Sequence, residues 1–375
     1  GFYTNGAGCE TFPLVVNTVD TKLIGAGPAV TVIDAQQSNR VLACDNMGSL
    51  RLEGLAFQNG YLVDTHGGGL YLSSTLVTIT NCWFLNNRIY RNSGTAVKCG
   101  GGLYVSGGGL SAYDSLFVSN RIVWSGAYTE NSRGGAIYAN AAITTLDGCT
   151  FRRNNVEVKH YECYGGALCL YGGSADIINC VFQTNYVGPT SLGSFLPYGG
   201  ALFGSGVSPL TISGCSFAGN YNNDGLLAGV LYLTGGALAR NVFDRNGAAG
   251  KHGDIYVASG AVAMTNNLVI RGYTHGIYVA GGALTIVNGT MAANTNWGLY
   301  NNAGAVTARN CIAWGNLSGG MTNIATVTYS CSQEIQTGDG NTTNDPMFAD
   351  NLYFHLRSRS GTYTDGFFDG GAWGS

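Results

Sequence analysis

Apolar and small polar residues alternate along short stretches of the chain, as in Val77–Phe84 (VTITNCWF) and Leu284–Met291 (LTIVNGTM). A period of two sends every second side chain to the same face, the pattern of a half-buried strand. Valine, isoleucine and threonine fill many of these positions and suit a pleated backbone. No helical period is sustained anywhere, so the chain reads as all-β.

The strands recur in register with two landmarks. A glycine pair opens GGGLYL at Gly67, GGLYV at Gly101, GGAIYA at Gly134, GGALCL at Gly165 and GGALFG at Gly199. Weaker copies follow at Ala228 (AGVLYL), Gly253 (GDIYV), His275 (HGIYV) and Trp297 (WGLYN). About 15 residues after each pair comes F-x-x-N, at Phe84, Phe117, Phe151, Phe182, Phe217 and Phe243. Steps between these phenylalanines are 33, 34, 31, 35 and 26 residues, and later copies settle at about 22. Three short strands in about 22 residues make one coil of a right-handed parallel β-helix. A single coil cannot bury its own inner face, so it needs neighbours at roughly 4.8 Å on both sides. About twelve coils are expected, a rod of roughly 60 Å.

Each landmark then has a physical task. Corner glycines accept positive φ and let the next coil approach. Asn87, Asn120, Asn154, Asn185, Asn220 and Asn246 hold the F-x-x-N turn, where a side-chain amide can bond the neighbouring turn. Cys82, Cys149, Cys180 and Cys215 each stand two residues before the repeat phenylalanine, and Cys311 and Cys331 occupy similar slots. Buried thiols behave as small hydrophobes, so a thiol column inside the stack is expected. Cys9 with Cys44, and Cys99 with Cys163, fall outside that column and are candidates for loop bridges.

Composition narrows the class. The 59 glycines come without a three-residue period and with only 6 prolines, which excludes collagen, and 45% apolar residues exclude a disordered tail. A formal charge of −3 with 18 Lys and Arg gives no field for a polyanion, so nucleic acid is not expected as a partner. No apolar run reaches the length of a membrane span. The 11 cysteines form no CxxC pair or Cys/His cluster, so neither a metal nor a cofactor is expected.

The two motifs resemble those of exported bacterial right-handed β-helix proteins with GG-x-[IL] and F-x-x-N repeats, which chlamydial polymorphic outer-membrane proteins share. Thr11–Gly60 looks like the first two coils of long bacterial surface proteins in the pectate-lyase-like superfamily. Asn344–Gly371 looks like their final coil: DP-x-F, a YHL-like strand, then S-P-x-x-D-x-G, with glycine and threonine replacing Ser-Pro near Gly361. The resemblance implies the β-helix fold and a place outside the cell or on its surface. The superfamily holds enzymes, adhesins and structural proteins alike. A single domain over 1–375 is expected: N-terminal coils 1–66, coils with long insertions 67–220, short regular coils 221–343, and a final coil with cap 344–375.

Enzymes on this fold cluster charge on one outer face. Asp114, Asp147 and Asp176 stand three, four and six residues before their phenylalanines and do not align. With 21 acids scattered along the chain, no catalytic residue is singled out and the chain is expected not to be an enzyme. His252 and His275 precede the corner glycine in neighbouring coils and read as exposed corner histidines.

Insertions after F-x-x-N are confined to coils 3 to 6 and so lie on one side of the rod. They and the corners that follow carry Tyr90, Trp124, Tyr128, Tyr161, Tyr164, Phe195 and Tyr198. These aromatics either offer a contact face for sugars or a protein partner, or pack on one another and cover the rod. The expected function is an extracellular structural or surface rod, with itself, end to end in a fibre, or surface glycans as partner. The alternative is a carbohydrate-active enzyme (lyase or hydrolase) or a carbohydrate-binding adhesin on the same fold.

Overall fold

The computed structural model describes residues 1–4, 10–45, 48–91, 97–124, 131–158, 162–189, 197–222, 229–248, 252–356, 361–364 and 367–370. Successive coils lay their strands on three long sheets of 13, 12 and 12 strands, and neighbours within each are parallel throughout. This is a right-handed parallel β-helix.

One coil shows the plan. From the Gly67–Gly69 corner the chain enters Leu70–Ser73 on the first sheet, Leu76–Thr80 on the second and Trp83–Leu85 on the third. Leu70, Leu72, Val77, Ile79 and Phe84 point inward and are buried. The corner is tight: a Cβ on Gly166 would lie 2.2 Å from the Gly200 carbonyl oxygen of the next coil. Identical register stacks identical residues. Phe57, Phe84, Phe117, Phe151, Phe182, Phe217 and Phe243 form one column, with ring centroids 4.7 to 5.2 Å apart. Each buried ring contributes about 1.5–3 kcal/mol. Beyond it the column passes to Val269, Met291 and Ala313.

The repeat asparagines form a buried amide ladder beside this core. Asn154 donates its main-chain N–H and its Nδ2 to Asn185 Oδ1 at 3.0 Å each, and its Nδ2 also reaches the Phe117 carbonyl at 2.9 Å. The same triad links Asn87 to Asn120, Asn120 to Asn154, Asn185 to Asn220 and Asn220 to Asn246. A second buried column holds Cys82, Ser115, Cys149, Cys180, Cys215, Asn241 and Asn267. Its thiols donate to carbonyls, for example Cys180 Sγ to Ile178 O at 3.2 Å.

The insertions are not plain loops. Their first residues pair as a seven-stranded parallel flank sheet that includes Arg88–Arg91, Arg121–Trp124, Asn155–Val158 and Tyr186–Pro189. Their last residues pair as a four-stranded lip: Lys98–Cys99, Ser132–Arg133, Cys163–Tyr164 and Pro197–Tyr198. Ile89, Ile122, Val156, Val187 and Cys163 make a small core of their own. Cys99 and Cys163 are both free thiols. They lie on lip strands separated by Ser132–Arg133, two strand spacings or roughly 10 Å, too far for a bridge. Cys44 is a buried free thiol, and its proposed partner Cys9 lies outside the described residues.

The C-terminal end of the stack is covered. Gln333 Oε1 accepts the Asn316 N–H as the last rung, and Glu334 accepts from the N–H groups of Gly320. The Ser332 N–H donates to the Thr342 carbonyl, the Thr342 N–H donates to the Ser330 carbonyl, and Asn341 Oδ1 takes the Ser330 N–H. Residues 344–356 do not extend the coil stack. They fold back over the third sheet, where Arg271 donates to the Asn351 carbonyl, and Gly361–Thr364 pairs antiparallel with Phe367–Gly370. No helix among the described residues is long and apolar enough to cross a membrane.

Candidate functional site

In the strand Leu70–Ser73, Leu70 and Leu72 face inward, so Tyr71 between them faces outward. Register repeats that outward position in nine successive coils, between Ala43 before them and Thr322 after: Tyr71, Tyr104, Tyr138, Cys169, Phe203, Tyr232, Tyr256, Tyr278 and Tyr300. The rings stack in two runs. Tyr71, Tyr104 and Tyr138 are spaced 5.1 and 5.5 Å apart. Phe203, Tyr232, Tyr256, Tyr278 and Tyr300 are spaced 4.8, 5.5, 5.5 and 5.2 Å apart. Because each ring covers its neighbour's face, the half-buried Tyr71, Tyr104, Tyr232, Tyr278 and Tyr300 present ring edges and hydroxyls, whereas Tyr138, Phe203 and Tyr256 are buried. Burial pushes the Tyr104, Tyr232 and Tyr278 hydroxyls up, and that of Tyr256 up to about 12. They therefore stay protonated and serve as donors at neutral pH.

The column breaks at Cys169, and there the lip closes over it. Tyr164 and Tyr198 stack at 5.2 Å, and the Tyr164 edge meets Phe203 at 4.6 Å. The Arg133 guanidinium lies 5.4 Å from the Tyr164 ring and 4.9 Å from Tyr171, with Nη1 3.5 Å from the Tyr138 hydroxyl. Its Nε is buried without a hydrogen-bond partner. The Tyr164 hydroxyl donates to the Glu162 carboxylate, which also accepts from Asn131 Nδ2 at 3.1 Å. Burial, then Glu162, push the Tyr164 phenol up. Thus a guanidinium, a carboxylate and two phenols meet at the one break in the column, groups able to hold and polarise a polar ligand. Beneath them, burial pushes the Cys99 thiol up to about 12, so it is a packed group and not a nucleophile.

Basic groups line the column elsewhere. Arg40 sits 4.9 Å from the Tyr71 ring and donates to the carbonyls of His66 and Gly67. His66 stacks on Tyr104 at 4.7 Å; burial, then Lys98 and Arg40, lower its pKa to about 4. The corner histidines are not exposed. His275 is buried, tilted 4.9 Å from Tyr300, and its pKa is lowered to about 4 by burial and then His252. His252 meets Tyr278 edge-on at 4.6 Å. Both rings tuck against the column because the neighbouring tyrosines leave them little access to water. No group of three or more His, Cys, Asp or Glu placed to hold a metal occurs among the described residues.

Of the aromatic residues picked out in the insertions, Tyr164 and Tyr198 lie together at the break. Tyr90 belongs to the flank sheet, stacked 6.4 Å from Tyr61 with Arg88 beside it, and does not join them. Trp124 ends a flank strand, with its side chain outside the described residues, as are Tyr128, Tyr161 and Phe195 altogether. The tyrosine column itself escaped the sequence reading, although tyrosine follows the apolar residue in most of the quoted corner motifs. A cleft of about 680 Å³ also lies under the C-terminal segment, against Trp314, Phe348 and Phe354. Its one guanidinium, Arg271, is already taken by Asp244 at 2.7 Å.

No family model matches the chain, and no curated protein matches it. Among solved structures, it is similar to a mutant of the periplasmic alginate epimerase AlgG, with 11% identity, 86% of this chain and 84% of that one covered, and a TM-score of 0.28. The expectation that the chain is not an enzyme is set aside: the few, scattered acids on which it rested are no ground for excluding catalysis. At this identity the likeness concerns the fold alone.

Proposed function

We propose that the chain is a carbohydrate-active protein of the cell envelope or exterior that holds an extended polysaccharide along its tyrosine column. The observation that carries this reading is the file of phenols at 5.1 to 5.5 Å intervals, interrupted once, at Cys169 and Phe203, where the Arg133–Glu162–Tyr164 cluster lies. A polymer of like sugar units is a periodic row of hydroxyls, and a periodic row of donors with a straight axis is its natural complement. Phenols bond sugar oxygens while the ring edges meet the sugar's apolar face. The cluster at the break is where a single sugar unit would be gripped by charge, and so where any chemistry on the polymer would take place. Arg133 is half-buried with its Nε–H shut from water and unpartnered, which costs free energy in the empty state, so a ligand that accepted this N–H would be favoured there.

The test is affinity electrophoresis through gels containing neutral or acidic linear polysaccharides. Retardation of the wild-type chain by at least one polymer is expected. The double variant Tyr232→Ala, Tyr256→Ala should bind it about thirtyfold more weakly, from two lost bonds near 1 kcal/mol each. Tyr113→Ala, on the second sheet, should bind as wild type. Equal retardation of all three chains would sink the proposal.

A further inference from the structure

One coil departs from the others at two positions at once. Other coils carry an uncharged residue at this corner and an asparagine at the rung: Gly69 with Asn87, Gly102 with Asn120, Val230 with Asn246 and Gly276 with Asn294. A Cβ on Gly69 or Gly102 would stand 2.9 or 3.0 Å from that asparagine's Cγ, so a side chain grown there would enter the ladder. In the odd coil the corner carries Asp254 and the rung carries Gly272. The two changes compensate. Asp254 is 1% exposed and its Oδ2 lies 3.4 Å from Asn246 Nδ2, the contact a rung amide would make. A Cβ on Gly272 would be 2.7 Å from Asp254 Oδ1, so the carboxyl already fills the space that a rung side chain would need. The Gly272 N–H keeps its rung bond to Asn294 Oδ1 at 2.9 Å.

The proton follows from the neighbours. Asp254 Oδ1 has no partner, and it shares the space beside Gly272 with Asn294 Oδ1, which the same Cβ would approach to 2.9 Å. Two oxygens converging in a buried site repel unless one carries a hydrogen. No cation faces the carboxyl among the described residues. Arg271 turns outward to Asp244 and the Asn351 carbonyl, His275 offers only its main-chain oxygen to the Asp254 N–H, and the His252 ring lies against Tyr256 and Tyr278. The acid that acts on it is Asp244, which together with the larger effect of burial pushes the Asp254 pKa well above its ordinary value.

We propose that Asp254 is a protonated rung of the amide ladder, and that losing this proton loosens the stack between the coils of Asn246 and Asn294, a pH-sensitive joint in the rod. A neutral carboxyl has one acceptor and one donor, as the missing amide would; a carboxylate has acceptors only. The sign is that of an acid raised in the fold: its contribution is whole below the ordinary carboxyl range and is lost as pH rises through the folded value.

Hydrogen exchange read by mass spectrometry, corrected for intrinsic rates, tests this on the full chain. In wild type the opening equilibrium of peptides within 244–300 should rise about tenfold per pH unit up to the folded pKa, while peptides within 103–185 stay level. Asp254→Asn should remove the dependence. So should the exchange Asp254→Gly with Gly272→Asn, which restores the ordinary rung. A pH-independent wild type, or either variant retaining the wild-type dependence, would overturn the proposal. Failure of both variants to fold would overturn it too, since each supplies a neutral amide at that rung.

Discussion

Replacing Asn185 by alanine tests how much the amide ladder contributes. Asn185 sits mid-stack and is fully buried. Its side chain accepts from Asn154 N and Nδ2 at 3.0 Å each, and donates from Nδ2 to Phe151 O and Asn220 Oδ1 at 2.9 Å each. Some of these partners keep a second bond: Asn154 Nδ2 still has Phe117 O, and Asn220 Oδ1 still has the Asn185 N–H. The Asn154 N–H and the Phe151 carbonyl lose the partner that Asn185 gave them. A buried polar group left unpaired costs about 1–3 kcal/mol, so the variant should lose about 2–6 kcal/mol. Urea unfolding, followed by exchange protection of the flanking coils, measures it, because a stack of repeats can open locally. Asn302→Ala, at an exposed corner with ordinary backbone angles, is the control and should change little. A loss under 1 kcal/mol for Asn185→Ala would refute the ladder's energetic role and leave the phenylalanine column as the main support.

Two further outcomes are expected. His66 and His275 have pKa values lowered to about 4 by burial, so the unfolded chain binds protons that the folded one refuses. Stability should therefore fall as pH drops from about 6.5 towards 4, and His275→Gln should flatten part of that slope in thermal melts; an unchanged slope would refute the assignment. Cys82, Cys180 and Cys311 are buried, and burial pushes Cys82 and Cys311 up to about 11. Alkylation with mass mapping should leave them unmodified until urea unfolds the chain, and labelling in the native state would show that the stack opens readily.

Most of the fold was legible because it is written in copies. Phe84, Phe117 and Phe151 recur with Asn87, Asn120 and Asn154 three residues on, and one period places all of them. The flank sheet was missed because RIYR, RIVW and NVEV are too short to stand out from the turn residues around them, although they alternate as strands do. The tyrosine column was present in the corner motifs, but its outward stacking depends on register across coils, which a single line of text does not display. The exchange of Asp254 for Gly272 was illegible for a different reason. Each change alone looks like decay of the repeat, and only contact between residues 18 apart in sequence reveals a substitution of one rung for another.

The amide ladder also bears on where such a chain can vary. Each rung is tied to the rungs before and after it, so a residue gained or lost inside the three main strands would pull two rungs out of line. After the rung the ties are fewer: short flank strands, then, past the insertions, the lip strands before the next corner glycine. There the coils differ most, with steps of 31 to 35 residues between phenylalanines where the insertions stand and about 22 further on. Length change is thereby quarantined on one flank, next to the break in the tyrosine column. The rod behaves as a chassis whose frame tolerates little while its lip can be rewritten coil by coil, so new specificities could arise without refounding the fold.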